Sequence, residues 1–212
     1  MKNHPLRAFA LSSVVLSLAT FVSLPAAPAA AQYPKPSPYP ITWELSFKYQ
    51  TPKRIVVGVP GQSEPQAYWY LTYTVQNDSR REITFLPNFQ MLLPNGQTIR
   101  SDKNIPPAVF DAIKQREGNP LLQNALQVAG VIRVGEDEAK DGVAIWPEPP
   151  GRMGNFSVFV QGLSGENVSI PGPDKKPVIL RKTLQLNYLI RGDEIYPGED
   201  QVNENPKQWI MR

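Results

Sequence analysis

The residues able to do chemistry in this chain are aromatic and acidic, because the usual catalytic side chains are almost absent. The sequence contains no Cys, and its only His, His4, falls within a segment that has the features of a signal peptide. Cysteine nucleophiles, Ser-His-Asp triads and His/Cys sites for zinc or haem are therefore excluded. Chemistry by carboxylate pairs, Lys or Tyr remains, as do metal sites built from oxygen ligands.

The first candidate site is a set of aromatic residues on predicted strands. Tyr68 and Tyr70 share one face of an extended stretch, because alternate residues of a strand point to opposite sides. Trp146 ends a later apolar stretch. An exposed ladder of rings would bind a sugar or an extended peptide. We therefore predict Tyr68, Tyr70 and Trp146 as ligand-binding residues; the alternative is core packing and cross-strand pairing beneath a helical hairpin.

The second candidate site is acidic. Glu136, Asp137, Glu138 and Asp141 fall in one predicted loop and would supply oxygen ligands to Ca²⁺. They lack the spacing that orients the ligands of a calcium loop, so a solvated hairpin turn is the alternative. Further carboxylates at 193–200 invite an acid/base mechanism, but an exposed tail explains them better. We predict no cofactor and no resident metal.

The elements that would position these residues are mostly strands. Alternation of apolar and polar residues runs through 66–100 and predicts an antiparallel meander, with turns at 77–80 and 94–96. Similar patterns elsewhere bring the expected total to about nine strands. We predict an all-β fold with a small helical insertion, an immunoglobulin-like antiparallel β-sandwich. A helix-covered barrel is the alternative.

The insertion is predicted at about 106–128, as a helical hairpin. Pro106 and Pro107 suit the first turn of a helix, and Gly118 suits its end. Asn119, followed by Pro120, is predicted to cap a second short helix. We expect this hairpin to cover an edge or an open end of a sheet, or to present a surface to a partner.

The N-terminal residues predict export to the periplasm or the extracellular space. Residues 1–31 combine Lys2 and Arg7, an apolar run and small residues before Gln32, which is the pattern of a signal peptide. Without this segment the formal net charge falls by two from +3. Positive and negative charges are then nearly balanced, and the mature chain is not predicted to bind nucleic acid or to carry a transmembrane helix.

The predicted organisation has four parts. A signal peptide occupies 1–31, and a Pro-rich leader at 32–40 is expected to be a spacer. The β-sandwich domain covers 41–191. Residues 192–212 are polar without a clear period and are predicted to be a C-terminal tail, with Trp209 able to dock back on the domain.

A family resemblance covers about residues 66–162. Residues 70–96 contain, in order, a predicted strand, an Asn with a short polar turn, a second predicted strand, a Phe, a Leu and an Asn-Gly turn. Later, Gly and acidic residues at 135–137 precede a Gly-Val-apolar-Trp strand at 142–146. This order resembles exported bacterial immunoglobulin-like domains of unknown function. The resemblance implies a non-catalytic surface or periplasmic accessory domain and carries over no site residue.

The function expected from these observations is binding rather than catalysis. We predict a secreted or periplasmic, non-enzymatic protein that binds a protein or a cell-envelope component. The alternative is a carbohydrate-binding module or a carbohydrate-active enzyme using a carboxylate pair. Only Glu44 and Glu82 are expected inside strands, which favours the binding function.

Overall fold

The described residues form mostly β-strand, with two helices in one insertion. The computed structural model describes residues 33–151, 153–172, 174, 176–190 and 202–212. The helices are α1 (Pro107–Glu117) and α2 (Ala125–Val128). The strands, in chain order, are β1 (Ser46–Tyr49), β2 (Lys53–Val57), β3 (Gln66–Asn77), β4 (Ile83–Phe85), β5 (Asn88–Leu92), β6 (Thr98–Arg100), β7 (Gly130–Ile132), β8 (Gly135–Pro147), β9 (Asn155–Gln161), β10 (Asn167–Pro171), β11 (Pro177–Ile190) and β12 (Val202–Met211).

The chain divides into two units, Met1–Tyr33 and Pro34–Arg212. The fold described is that of the second unit. The predicted signal peptide lies outside the described residues, as do residues 192–201 of the predicted tail and the carboxylates among them.

The first sheet is built around β3. Strands β1 and β2 pair in succession with one edge of β3, and β8 pairs with the other edge, all antiparallel. The predicted strand at the start of 66–100 is therefore confirmed as the centre of its sheet. The predicted continuous meander is wrong, because β3 and β5 belong to different sheets.

Asn77 explains where the meander breaks. Its side chain is fully buried and donates to the backbone oxygens of Arg81 and Ile132 at 2.8 and 2.9 Å, while it accepts from the backbone N–H of Ser79. These bonds fix a turn that ends β3 and directs the chain towards the β4–β7 pair. The Asn77 side chain thus supplies to nearby backbone groups the hydrogen bonds that a tight hairpin would supply between two paired strands.

The second sheet is centred on β11. Its strand order is β10-β11-β9-β5-β6, and β12 also pairs with β11. Both sheets are open in the described part of the chain, with strands at their edges. Apolar side chains from one face of each sheet meet in one core, which includes Trp69 and Leu71 from the first sheet and Phe89 and Val158 from the second. The face of β3 that carries Trp69 and Leu71 is therefore buried here, but β3 is not the half-buried strand that its period-two pattern predicted, because its other face is buried as well.

The other face of the first sheet is covered by the helical insertion. Pro106 occupies the N-cap position of α1 without a capping hydrogen bond and Pro107 begins the helix, while Gly118 ends it with φ 61°, as predicted. Val109 and Ile113 of α1 are fully buried in a second apolar cluster, against Tyr68 and Tyr70 of β3. The helix thus buries its apolar residues against the sheet, which is the main source of stability for so short a helix.

The second predicted helix is shorter than expected. Asn119 forms a turn, accepting from the backbone N–H of Leu121 at 2.9 Å, and does not cap a helix. Asn124 caps α2 instead, in a capping box with Gln127. Gln127 stands three residues after Asn124 and completes the box, whereas Leu122 holds the same position after Asn119.

The free edge of β8 is covered by the insertion and by the loop before it. Gln123 pairs with the backbone of β8 through its own N–H and C=O, at 2.9 and 3.2 Å. Asp102 accepts the N–H of Ile145 on Oδ1 and donates its own N–H to the Ile145 oxygen. The expectation that the insertion covers a sheet edge is therefore confirmed, and the edge is closed to further strands.

Two predicted irregular segments are strands. The stretch 135–142, predicted as an acidic loop, begins β8, because its backbone pairs with β3 through Lys140 and Asp141. Residues 202–211, predicted as part of a polar tail, form β12 on the edge of β11. Polar side chains suit both segments, since each exposes much of its length.

The predicted leader is tied to the domain by a buried charge cluster. Lys182 is 2% exposed and lies 2.5 Å from Glu44 and 3.3 Å from Glu166. Its Nζ also donates to the backbone oxygen of Ser37, whose N–H donates to Glu166 at 2.8 Å. The leader is therefore held at Ser37 and is not only a spacer. Nearby carboxylates raise the pKa of Lys182 against the effect of burial, so this lysine stays charged and is no nucleophile.

Candidate functional site

The predicted aromatic platform lies in the core of the protein. Tyr68 and Tyr70 are 5% and 1% exposed, and both pack beneath α1. Trp146 is fully buried on the opposite face of the sheet, paired with Trp69 across β3 and β8. The structure does not bring these three residues together on one surface. The stated alternative, core packing, is what the structure contains: Tyr68 and Tyr70 pack under the helical hairpin, and Trp146 packs in the core on the other face of the sheet.

The predicted acidic site is spread along a strand. Glu136, Asp137 and Glu138 are exposed in the first half of β8. Asp141 accepts from Thr74 at 2.7 Å and from Asn119 at 2.8 Å, so it joins the sheet to the insertion. Among the described residues, no three His, Cys, Asp or Glu side chains come together as metal ligands.

Sequence reasoning missed one carboxylate, Glu117, which faces a polar cavity of about 330 Å³ together with Asp141. Glu117 accepts from Tyr70 at 2.6 Å and from Lys53 at 2.9 Å. Burial disfavours its ionised form, but these two donors outweigh that effect and hold its pKa below the ordinary value. A carboxylate held ionised in this way is poorly suited to be a general acid at neutral pH.

A concave surface with apolar walls lies on another side of the insertion. Its apolar members come from the end of β4 and from α2, and its polar members come from the loop after β6. We call it the apolar groove, a cavity of about 660 Å³ lined by Leu86, Pro87, Arg100, Ser101, Asp102, Lys103, Ala125, Leu126 and Ala129.

Two leucines of the apolar groove are exposed to an extent unusual for this residue. Leu86 is 65% exposed and Leu126 is 88% exposed. The capping box of Asn124 and Gln127 fixes α2 so that Val128 points into the core while Leu126 points away from it. An exposed apolar patch beside a cavity is a common mark of an interaction site.

The polar wall of the apolar groove is positively charged at its rim. Arg100 and Lys103 are exposed, and neither forms a salt bridge within the described residues. Asp102 between them is turned inwards to the backbone of Ile145, and burial raises its pKa to about 6. The rim therefore offers two cations beside an apolar floor.

The backbone of this wall is held in an uncommon conformation. Asp102 and Asn104 have φ of 59° and 57°, the left-handed region that side chains other than Gly seldom adopt. Both are residue types that tolerate this region best. The two bonds between Asp102 and Ile145 hold the conformation, so the cationic rim is placed by the edge of β8.

No pattern in the sequence marks the apolar groove. Leu86 follows a strand of three residues and Leu126 lies in a helix of four, so neither shows a periodicity that would separate it from the core. The only available signal is that Leu86 precedes Pro87, a pair that favours an extended loop position.

Comparisons with known proteins add little. No protein-family model matches the chain, and no curated protein matches it. Among solved structures, the chain is similar to the yjhA protein from Bacillus subtilis, with a TM-score of 0.38 and 11% sequence identity over 66% of this chain and 92% of that one. A likeness this weak carries no argument about fold or function.

None of the helices in the described part of the chain is both long enough and apolar enough to cross a bilayer.

Proposed function

We propose that this protein is an exported, non-enzymatic β-sandwich of immunoglobulin-like type that binds a partner protein of the cell envelope through the apolar groove. The observation that carries the proposal is the pair of exposed leucines, Leu86 and Leu126, on the walls of a 660 Å³ cavity. Isolated exposed leucines are ordinary, but leucines that share one concavity favour a binding site.

The chemistry of the apolar groove indicates the kind of partner. Its floor accepts an apolar side chain, and the cations of Arg100 and Lys103 attract a carboxylate next to it. The partner is a protein segment with a bulky apolar residue flanked by Asp or Glu. A bilayer surface is a weaker fit, because a concave cavity accepts an inserted side chain better than it accepts a flat surface.

Non-enzymatic function is supported by the residues at hand. The chain has no Cys and only one His. The two carboxylates that face a common cavity, Glu117 and Asp141, are already engaged by neighbouring donors. A carbohydrate-active enzyme would need one of them to exchange protons with substrate, and the lowered pKa of Glu117 opposes that role.

Export rests on the sequence of residues 1–31. If they are a signal peptide, the mature protein isolated from the source organism begins at Gln32, and N-terminal sequencing of that protein is the direct test. An N-terminus at Met1 would contradict export by this route.

The binding proposal is tested by capture from envelope extracts with paired variants. Leu126→Glu places a charge on the wall of the apolar groove, whereas Leu121→Glu makes the same change at a leucine that is 72% exposed and lies outside it. Both substitutions are at the surface and should leave stability within about 0.5 kcal/mol of wild type. We expect the same protein to be captured by wild type and Leu121→Glu and to be lost with Leu126→Glu. Equal capture by all three proteins would contradict the proposal.

A further inference from the structure

The polar cavity of about 330 Å³ that Glu117 and Asp141 face lies between the first sheet and the helical insertion. One wall comes from β1, β3 and β8, and the opposite wall comes from Glu117 and from the residues that follow α1, including Leu122. Lys48 and Gln50 also line the cavity and are exposed. The cavity therefore opens to solvent at the outer edge of β1.

Strand register places one row of polar side chains along the sheet wall of the cavity. Lys48 of β1 lies opposite Thr74 of β3, and Thr74 lies opposite Asp141 of β8. Thr74 donates to the Asp141 carboxylate at 2.7 Å, so both side chains lie on the same face of the sheet. Because neighbouring strands lie about 4.8 Å apart, the Cα atoms of Lys48 and Asp141 are roughly 10 Å apart. A cation and an anion thus stand at the two ends of one row.

The two charges of this row are not neutralised by ion pairs within the described residues. Neither Lys48 nor Asp141 forms a salt bridge there. The Asp141 carboxylate accepts from two neutral side chains, Thr74 and Asn119. Since a carboxylate has about four acceptor positions, Asp141 can accept further hydrogen bonds.

The other charges near the polar cavity are paired or directed elsewhere. Glu117 is paired with Lys53 at 2.9 Å. Lys114 and Arg116 of α1 do not line the cavity, and they donate to backbone oxygens at 3.1 and 2.7 Å. One cation and one anion remain for a ligand, so the cavity favours a ligand with one charge of each sign.

A buried hydroxyl also points to a ligand in the polar cavity. Thr72 lies two residues before Thr74, on the same face of β3, and lines the cavity. Its side chain is buried, with 9% of the residue exposed, and its Oγ1 forms no hydrogen bond within the described residues. A buried hydroxyl without a partner lowers stability. A ligand that bonds to Thr72 would remove this cost.

We propose that the polar cavity binds a free α-amino acid. The ammonium group of the ligand donates to Asp141, and its carboxylate accepts from Lys48. The Thr72 hydroxyl can bond to either group, because it both donates and accepts. An α-amino acid carries its two charges close together and so fits within one row, while Leu122 offers an apolar contact to its side chain. The polar cavity and the apolar groove share no lining residue, so this inference is independent of partner binding at the groove.

The test is isothermal titration calorimetry of the protein with the common L-amino acids, one at a time. For the tightest binder, the amide of its carboxyl group and its N-acetyl derivative each remove one of the two charges. The variants are Lys48→Met, Asp141→Asn and Thr72→Val. The control is Lys103→Met, at an exposed lysine that does not line the polar cavity. Thermal melting checks that each variant folds.

We expect at least one amino acid to bind wild type, Lys103→Met and Leu126→Glu with equal affinity. Loss of one charge, from the ligand or from the row, should weaken binding about ten-fold or more. Thr72→Val should bind more weakly yet melt no lower than wild type, because it removes a hydroxyl that has no partner in the described part of the protein. A purely structural role of Thr72 would not separate these two readouts.

Three results would overturn the proposal. The first is that no amino acid binds at millimolar concentration. The second is that the amide and the N-acetyl derivative bind as tightly as the parent amino acid. The third is an unchanged affinity in folded Lys48→Met, a substitution at an exposed position.

Discussion

The phenol of Tyr70 donates a 2.6 Å hydrogen bond to Glu117, and this bond joins the centre of the first sheet to the last residue of α1. Lys53 of β2 donates to the same carboxylate at 2.9 and 3.0 Å. Tyr70, which was predicted from the sequence to bind a ligand, therefore holds α1 in place and is buried beneath it. The same bond helps to hold Glu117 ionised, so one contact both covers the aromatic face and makes Glu117 poorly suited to be a general acid at neutral pH.

Replacement of Tyr70 should reduce stability. Tyr70→Phe removes one hydrogen bond to a charged group and should lower the free energy of unfolding by about 1.5–3 kcal/mol. Tyr70→Ala also empties a core site and should cost about 3–5 kcal/mol. Urea unfolding measures both values. Tyr39→Ala, at a tyrosine that is mostly exposed, is the control and should change stability little; an equally small effect of Tyr70→Ala would show that the ring is not core.

Gly142 is expected to tolerate no side chain. A Cβ at this position would overlap the ring of Tyr73, and the Tyr73 ring is itself packed against Phe89, with 4.8 Å between the ring centroids. Gly142→Ala should cost roughly 1–3 kcal/mol, the range for overpacking a core. Gly58→Ala is the matched control, since nothing lies within 4 Å of a Cβ at Gly58. Thermal unfolding of the two variants should separate them, and similar melting temperatures would refute the close approach of Tyr73.

Removal of Lys182 should destabilise the domain and free the leader. Lys182→Met leaves Glu166 buried without its cation, which costs about 3–5 kcal/mol in comparable cases. Arg133→Met is the control, because Arg133 pairs with exposed carboxylates at 3.7 and 4.0 Å and such pairs contribute about 0–1 kcal/mol. The backbone amide of Ser37, which donates to Glu166, should exchange with deuterium faster in Lys182→Met than in Arg133→Met. Equal exchange rates would contradict the role of the cluster in holding Ser37.

Asp102 should make the free energy of unfolding depend on pH, and comparison with a variant that lacks its carboxyl separates this effect from that of other groups. Burial raises its pKa to about 6 in the folded protein, from an ordinary value of 3.8. A raised carboxyl pKa means that the contribution of this group is greatest below pH 3.8 and is lost as pH rises through about 6. Asp102→Asn stays neutral, so its stability relative to wild type should rise by roughly 2–3 kcal/mol between pH 4 and pH 7. Urea unfolding at several pH values gives this difference, and a flat difference would contradict the shift.

Glu166 titrates with the opposite sign. Burial opposes its ionised form, but the bonds from Ser37 and Lys182 dominate and lower its pKa. Its stabilising contribution is therefore complete above its ordinary pKa and is lost only as pH falls below that range. The comparison of Asp102→Asn with wild type removes this background, because both proteins contain Glu166.

Much of the fold was predictable because apolar residues alternate wherever one face of a strand is buried. Alternation over 66–100 predicted β3 and β5 as strands, and Trp69, Leu71, Phe89 and Met91 of these strands face the core. Pro106 and Gly118 fixed the ends of α1, because each restricts the backbone in a way that suits its position. These signals are local, so a single sequence carries them.

The parts that were not predictable depend on contacts distant in sequence. Segment 202–211 is a strand because the edge of β11 supplies its hydrogen bonds, although its own side chains are polar. The acidic start of β8 is a strand for the same reason. The apolar groove brings Leu86 and Leu126 together from separate elements, and nothing in either neighbourhood marks them.

The most direct test of partner binding at the apolar groove is photo-crosslinking in the native envelope. A photoreactive phenylalanine analogue is placed at position 126 in one protein and at position 121 in another, so that two exposed leucine positions of the same insertion are compared. We expect a discrete crosslinked protein from position 126, absent from position 121 and lost when Arg100 and Lys103 are both changed to Glu. Adducts of equal yield from both positions, or none from position 126, would contradict binding of a partner protein at this groove.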